Sequence, residues 1–173
     1  MSRGYMLRSK RDDWRTPPEV IDVVREAFRG SIDLDPCGNR YSLVGAKKQL
    51  LLSKGEDGLV TEWKGRTFVN PPFSSGKLWL AKAASSPRAE TILLMPARVD
   101  TKAFHEHGVK ADAVAFWKGR ITFVGAPASA PFPVMFLYWG AEPNLFVGAF
   151  SRHAAIYTLT LGVSSRINVV QSS

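Results

Sequence analysis

Thr67-Phe68-Val69-Asn70-Pro71-Pro72-Phe73 combines a strand-forming triplet with two consecutive prolines. The β-branched and aromatic residues at 67–69 favour a short buried strand. The prolines end that strand because proline lacks an N–H donor and has a fixed φ. The sequence therefore predicts a rigid loop that holds Asn70 and Phe73 at the carboxyl end of a strand, where open α/β sheets bind ligands.

The residues of this loop suit the activation of an amine. An exocyclic amine on a nucleobase is a poor nucleophile, because its lone pair is delocalised into the ring. The Asn70 side-chain oxygen and the Pro71 carbonyl offer one acceptor for each N–H of such an amine, and Phe73 offers a ring for base stacking. A proline-rich turn, with Asn70 capping it and Phe73 in the core, is the alternative that these residues leave open.

The composition is that of one folded domain with a polyanionic partner. The chain has 173 residues, and its 45% hydrophobic fraction argues against disorder. Lysine and arginine number 23 against 15 aspartates and glutamates, and the net charge of +8 favours DNA or RNA as a partner. The single cysteine, Cys37, excludes an internal disulfide and argues against a structural zinc site.

The expected domain organisation is simple. We expect a basic flexible arm at residues 1–11, a single domain at residues 12–165 and a polar tail at residues 166–173. No apolar run reaches transmembrane length and the N-terminus lacks the apolar region of a signal peptide, so we expect a soluble cytoplasmic protein without a membrane partner.

The first helix is predicted to begin near Thr16. Thr16 is expected as its N-cap, Pro17 as its first residue and Glu19 as the capping-box partner. Trp14, just before this helix, is either a hydrophobic staple or the floor of a pocket for an adenine ring.

Acidic residues flank the next predicted strand. Leu34 alternates with Asp33 and Asp35 in a short strand that ends at Pro36. Carboxylates at such a strand end can accept hydrogen bonds from ribose hydroxyls or a ligand amine, bind a divalent cation with Asp57, or cap the next turn. The sequence leaves these roles open.

The remaining predicted elements are one helix and several apolar strands. The helix is expected at Lys77 to Ser85, and the strands at Thr91–Pro96, Ala113–Trp117, Val134–Trp139, Leu145–Phe150 and Ala155–Leu161. The strands at Val134–Trp139 and Leu145–Phe150 are expected to form an antiparallel pair.

Three cations beside predicted turns are candidates for contact with nucleic acid: Arg98, Lys118 and Arg120. A surface ion pair is the alternative for Arg98. The loop from Gly125 to Pro133 is long enough to be functional.

Short motifs follow one another in a fixed order: Asp13-Trp14-Arg15-Thr16-Pro17, Asp33-Leu34-Asp35-Pro36, Asp57-Gly58-Leu59, Trp63, Asn70-Pro71-Pro72-Phe73, Leu94-Met95-Pro96-Ala97-Arg98 and Gly119-Arg120-Ile121-Thr122-Phe123. In this order they resemble the phage DNA N-6-adenine methyltransferase family, the Dam-like enzymes of bacteriophages and prophages. The resemblance extends from about residue 12 to about residue 139.

The resemblance implies an α/β protein with a compact Rossmann-like, S-adenosylmethionine-dependent methyltransferase fold. The spacing between Asp35 and Asn70 is too short for the usual pair of intervening strand–helix units, so we expect a reduced, mostly parallel sheet. The implied methyl donor is S-adenosylmethionine, the implied acceptor is the N6 amine of adenine in DNA, and no metal is implied. The implied location is the cytoplasm of a bacterial host that carries a phage or prophage.

The resemblance also assigns site residues. The catalytic motif is Asn70, Pro71, Pro72 and Phe73, in which Phe73 stands where the family often has tyrosine. The implied cofactor pocket contains Trp14, Thr16, Pro17, Asp33, Asp35 and Pro36, with Asp57 and Leu59 beside the adenosine.

Four alternatives in function stay open, three of them methylation of another acceptor. The same loop chemistry serves cytosine N4, adenine in RNA and glutamine amides of proteins; the +8 charge favours nucleic acid over protein. From a different class, the chain is compatible with a catalytically silent DNA-binding protein. The sequence gives neither a recognition site nor an oligomeric state.

Overall fold

The computed structural model describes residues 14–158 and the backbone of residues 168–170. The predicted arm at residues 1–11 lies outside the described residues, as do most of the predicted tail at 166–173 and the end of the predicted strand at 155–161.

The described residues form four helices and eight strands. The helices are α1 Pro18–Ala27, α2 Gly76–Ala84, α3 Lys102–Glu106 and α4 Pro143–Phe150. The strands are β1 Leu34–Asp35, β2 Lys48–Gln49, β3 Gly65–Val69, β4 Ala89–Pro96, β5 Ala113–Trp117, β6 Val134–Trp139, β7 Ala154–Thr158 and β8 Asn168–Val170. None of the helices in this part of the chain is long and apolar enough to span a membrane.

All eight strands belong to one mixed sheet with the order β2-β1-β3-β4-β6-β5-β7-β8. β1 pairs in parallel with β2 and β3, and β3 with β4; the pairings from β4 to β8 are antiparallel. The prediction of a mostly parallel sheet is therefore wrong. The physical reason is the connection after β5: residues 118–133 contain no crossover helix, so the chain returns antiparallel as β6.

The strand order reverses at β1. From β1 the chain first adds β2 on one side and then returns to add β3 on the other side. Leu34 of β1 pairs in register with Thr67 of β3, so both strands end at the same edge of the sheet. This is the topological switch point at which open α/β sheets form a ligand-binding crevice.

Helices cover both faces of the sheet, which explains the apolar run at residues 92–95 of β4. Ile92 and Leu94 belong to the buried cluster formed with α1 and α4. Leu93 and Met95 belong to a second buried cluster, formed with α2. Because successive side chains of a strand point to opposite faces, a strand segment covered on both sides tends to be apolar at consecutive positions.

The predicted strand at Leu145–Phe150 is wrong, because this segment lies in α4. Pro143 stands in the first turn, where a proline suits a helix, and Phe146, Ala149 and Phe150 are its buried residues. Their spacing of three and four residues places them on one helical face, against α1.

The predicted N-cap of α1 is displaced by one residue. Pro17 is the N-cap and Pro18 the first helical residue, and no side chain caps the helix. The capping box between Thr16 and Glu19 is therefore wrong, because the Thr16 hydroxyl accepts a hydrogen bond from Asn70 instead.

Candidate active site

A cavity of about 490 Å³ opens where β1 and β3 end. It is lined by Trp14, Pro36, Cys37, Gly38, Asn39, Leu50, Leu52, Glu56, Asp57, Gly58, Asn70, Pro72 and Trp79. Among these described lining residues there are two carboxylates and no lysine or arginine, although the chain as a whole is basic. The cavity is thus a largely apolar space with a local negative charge.

Asn70 is held at the edge of the cavity by its amide nitrogen. Nδ2 donates to the Trp14 carbonyl at 2.6 Å and to the Thr16 hydroxyl at 3.0 Å. Because a carbonyl only accepts, the nitrogen must face Trp14 and the oxygen must face away. Asn70 Oδ1 is buried and has no hydrogen-bond partner among the described residues. A buried acceptor without a partner costs about 1–3 kcal/mol, so this atom calls for a functional explanation.

The prolines after Asn70 form the rigid loop that the sequence predicts. Pro71 is buried, whereas Pro72 lines the cavity. The Pro72 carbonyl accepts from the Ser75 backbone N–H at 3.1 Å and from the Ser75 hydroxyl at 3.2 Å. Trp79 of α2 donates its indole N–H to the same hydroxyl at 3.2 Å, which ties the loop to the helix.

Phe73 belongs to an aromatic cluster beside the loop. Its ring packs edge-to-face against Phe123 and Phe132, with centroids 6.0 and 5.5 Å apart. Phe123 also contacts Trp14, at 5.5 Å. Phe132 lies on the segment from Gly125 to Pro133, so this segment reaches the site through an aromatic contact that its sequence alone did not indicate.

Asp35 lies beneath the cavity rather than in its lining. The residue is only 4% exposed; its Oδ1 accepts from the Cys37 backbone N–H at 3.3 Å and its Oδ2 from the Ser42 hydroxyl at 3.2 Å. Burial raises the pKa of Asp35 to about 6, against the opposing effect of these two hydrogen bonds. Asp35 therefore supports the turn from Pro36 to Asn39, which does line the cavity.

The structure does not bring Asp33 to the cavity. Asp33 precedes β1, and its carboxylate accepts from Lys47 Nζ at 2.8 Å and from the Arg66 backbone N–H at 2.9 Å. The hydrogen bond from Lys47, followed by that from the Arg66 backbone, lowers the pKa of Asp33 to about 2.

Asp35→Asn is expected to stabilise the protein at pH 8 and to have little effect at pH 4. The folded state holds the Asp35 proton more tightly than the unfolded chain, so the free energy of unfolding falls as pH rises from about 4 to 6. Asparagine removes the buried charge, which is worth about 3 kcal/mol at pH 8. Urea unfolding at both pH values measures the difference.

Asp33→Asn is the control, because its expected effect on stability at pH 8 is opposite to that of Asp35→Asn. The pKa of Asp33 is lowered, so this carboxylate stabilises the fold above about pH 4 and its contribution is lost as pH falls towards 2. Asp33→Asn should therefore destabilise the protein at pH 8. An Asp35→Asn variant less stable than wild type at pH 8 would contradict burial as the cause of the raised Asp35 pKa.

The turn at Asp57-Gly58 is held close to the loop after β1. The Trp63 indole N–H donates to the Gly58 carbonyl at 2.8 Å, and a Cβ placed on Gly58 would lie 1.9 Å from the Pro36 carbonyl oxygen. Asp57 consequently lines the cavity, and its Oδ1 accepts from the Leu59 N–H at 2.8 Å. Leu59 itself packs into the core cluster beside α2 and does not line the cavity.

Eight of the thirteen lining residues lie outside the predicted set, and two of these, Glu56 and Cys37, carry an ionisable side chain. Glu56 lines the cavity and accepts from the Leu51 N–H at 3.0 Å, a contact that no sequence pattern indicates. Cys37 lines the cavity and is partly buried against the core cluster that includes α2. Burial, reinforced by the negative charge of Asp35, raises the pKa of its thiol well above the usual value, against a hydrogen bond from the Asn70 backbone. A protonated Cys37 is a poor nucleophile.

The three candidate DNA-binding cations lie at the same edge of the sheet as the cavity. Arg98 follows β4, and Lys118 and Arg120 follow β5; both strands run in the direction of β1 and β3. All three side chains are exposed and form no ion pair with a described residue. In the same part of the chain, no three His, Cys, Asp or Glu side chains are grouped so as to hold a metal ion.

The comparisons with known proteins agree on one family. The model of the family described as DNA N-6-adenine-methyltransferase (Dam) matches residues 4–133. The DNA N-6-adenine-methyltransferase of Haemophilus phage HP1 (strain HP1c1) is 27% identical over 86 residues, which are 49% of this chain and 48% of the phage protein. The alignment thus spans about half the length of that relative, and no solved structure matches the chain. The resemblance deduced from the motifs is confirmed: the chain belongs to the DNA N-6-adenine-methyltransferase (Dam) family.

Proposed function

We propose that this chain transfers a methyl group from S-adenosylmethionine to the N6 amine of adenine in DNA. The observation that carries the proposal is Asn70 Oδ1, a buried acceptor without a described partner at the edge of a cavity. An amine that donates an N–H to this atom would satisfy it. Membership of the family supports the choice of adenine in DNA as the acceptor.

The cavity suits S-adenosylmethionine in size and charge. Its volume of about 490 Å³ falls within the range of about 300–1,000 Å³ that is typical of small-molecule sites. The cofactor carries a sulfonium and an ammonium group, and the carboxylates of Glu56 and Asp57 complement this positive charge. The indole rings of Trp14 and Trp79 offer apolar faces for the adenosine.

We assign the cofactor contacts to Trp14, Pro36, Glu56, Asp57 and Pro72, all of which line the cavity. Asp35 supports the Pro36 turn from below. When bound, S-adenosylmethionine supplies a methyl group already activated by the positive charge of its sulfur, so the proposal includes no metal ion.

The loop residues act on the acceptor amine. Asn70 Oδ1 accepts one N–H of the adenine amine and the Pro71 carbonyl accepts the other, which draws the nitrogen towards tetrahedral geometry and localises its lone pair. Phe73 stacks on the adenine ring after the base has swung out of the duplex. Holding the amine in this position supplies much of the acceleration.

The fold proposed for this activity is Rossmann-like. A parallel set β2-β1-β3-β4, helices on both faces and a switch point beside the cavity support it. We further propose that residues 12–165 form one methyltransferase domain that works in the cytoplasm of a bacterial host.

DNA is proposed to bind across Arg98, Lys118 and Arg120. Replacing all three with alanine should reduce the slope of log affinity against log salt by about 0.9 for each phosphate that is no longer neutralised. Cofactor affinity should not change, because none of the three lines the cavity. Fluorescence anisotropy of labelled duplex DNA between 50 and 300 mM salt, roughly the range over which phosphate binding weakens, measures the slope.

Lys110→Ala provides the control for charge alone. Lys110 is exposed and precedes β5, so it lies at the opposite edge of the sheet. The Lys110→Ala variant should leave the slope of log affinity against log salt unchanged. An unchanged slope in the triple variant would contradict the assigned DNA surface.

The test of the proposed function is transfer of labelled methyl from S-adenosylmethionine to unmethylated DNA, with RNA and a glutamine-containing protein as competing acceptors. We expect label in DNA alone. Label confined to RNA or protein would contradict the proposal, and so would cofactor binding without transfer to DNA.

A further inference from the structure

We infer that Thr16 is a positioning residue for Asn70 rather than a cofactor contact: its hydroxyl accepts the second Nδ2–H of the Asn70 amide and holds the amide in the orientation that the Trp14 carbonyl selects. The inference rests on the proposed function, since it explains how Asn70 is prepared to receive the adenine amine.

The surroundings of Thr16 favour this role. Thr16 is 3% exposed and does not line the cavity. Its hydroxyl does not cap α1, because the N-cap is Pro17 and that helix has no side-chain cap. The partner that the structure gives this hydroxyl is Asn70 Nδ2, at 3.0 Å and 54 residues away in sequence.

The Trp14 carbonyl, which can only accept, distinguishes the two orientations of the amide. The Thr16 hydroxyl, which can donate or accept, anchors the second Nδ2–H in that orientation. A 180° rotation of the amide would place Asn70 Oδ1 against the Trp14 carbonyl, which lies 2.6 Å from Nδ2 in the observed orientation. Two acceptors at that distance repel each other. The rotated amide would also present N–H groups towards the incoming amine, which itself has N–H groups to donate. Only the observed orientation offers an acceptor.

The segment that carries these acceptors is fixed at two points. α1 begins directly after it, at Pro18. Arg15 forms an antiparallel bridge with Val124, whose N–H donates to the Arg15 carbonyl at 3.0 Å. The acceptors are therefore in place before substrate binds, and such preorganisation is the usual source of electrostatic catalysis.

Thr16→Val removes the hydroxyl and keeps the shape of the side chain. We expect kcat for methyl transfer to fall about tenfold, with the Trp14 carbonyl retaining part of the orientation. The Kd for S-adenosylhomocysteine, measured by calorimetry, should stay within about twofold of wild type. Thr16→Ser should restore kcat, and Thr16→Ala gives a second variant without the hydroxyl should Thr16→Val fold poorly.

Thr91→Val is the matched control. Thr91 is fully buried in β4, and its hydroxyl has no hydrogen-bond partner among the described residues. The same chemical change at this position should leave both kcat and cofactor affinity unaltered.

A second readout does not depend on catalysis. Nitrogen-15 NMR of the free protein reports the Asn70 side-chain amide, whose protons should exchange slowly with solvent in wild type and in Thr16→Ser. In Thr16→Val and Thr16→Ala at least one of them should exchange faster.

Three results would overturn the inference: full kcat without the hydroxyl, unchanged amide exchange, or a loss of cofactor affinity with kcat preserved at saturating cofactor. The last would make Thr16 a cofactor contact. Failure of the proposed function is distinguishable, because it would appear as wild-type protein that methylates no adenine in DNA, whatever the amide exchange.

Discussion

Asn70→Ala is expected to reduce methyl transfer to DNA by about 10²–10³-fold. The variant loses Oδ1, the acceptor proposed to hold the adenine amine, and the loss of one preorganised hydrogen bond at a reacting centre costs about this factor. Cofactor affinity should change only a few-fold, because Asn70 is one of thirteen residues that line the cavity. Single-turnover rates and calorimetry with S-adenosylhomocysteine measure the two effects separately.

Asn144→Ala serves as the control, since Asn144 is an exposed residue of α4. It should behave as wild type in both measurements. Near-normal turnover of Asn70→Ala would contradict the role given to Oδ1, and a parallel loss of cofactor affinity would make Asn70 a binding residue instead.

Gly58→Ala is expected to destabilise the fold and to remove most of the cofactor affinity. The added Cβ would lie 1.9 Å from the Pro36 carbonyl oxygen, which is backbone and has little freedom to move. Such overpacking costs about 1–3 kcal/mol, and relieving it separates the Asp57 turn from the loop after β1. We expect cofactor affinity to fall more than tenfold. Urea unfolding and calorimetry measure the two effects.

Gly148→Ala makes the same substitution at a position where the added Cβ has space. Gly148 is exposed within α4, and a Cβ added there would meet no other part of the described chain within 4 Å. Alanine there should raise the free energy of unfolding by about 0.5–1 kcal/mol and leave cofactor affinity unchanged. A stable Gly58→Ala variant with normal cofactor affinity would show that the Asp57 turn is not needed for the cavity.

Local patterns predicted the elements that depend on local chemistry. The strand, the two prolines and the loop of residues 67–73 lie where the sequence indicates, and the apolar run at residues 92–95 of β4 is covered on both faces. Thr101 caps α3 by accepting from the Phe104 N–H at 3.3 Å, a contact typical of threonine at an N-cap.

Predictions that depend on distant partners were less successful. Leu145–Phe150 is apolar as a strand or as a helix, and packing against α1, together with Pro143 in the first turn, identifies it as a helix. Thr16 has the local signature of an N-cap, but its partner Asn70 is 54 residues away. The direction of β6 depends on the connection from residue 118 to 133, whose sequence does not specify the strand to which the chain returns.

The candidate site likewise depends on contacts between residues that are far apart in sequence. Asp33 and Asp35 are only two residues apart. Asp35 is buried beneath the cavity, whereas Asp33 pairs with Lys47 and Arg66, which lie on different segments. Glu56 reaches the cavity through the turn that Trp63 holds. Long-range contacts of this kind cannot be deduced from the spacing of the residues that make them.

The central claim is that this chain methylates adenine N6 in DNA. The most direct test is nucleoside analysis of unmethylated DNA after incubation with the purified protein and S-adenosylmethionine. We predict N6-methyladenine in the wild-type reaction and at most a trace with Asn70→Ala. N4-methylcytosine as the product, or DNA without any methylated nucleoside, would contradict the claim.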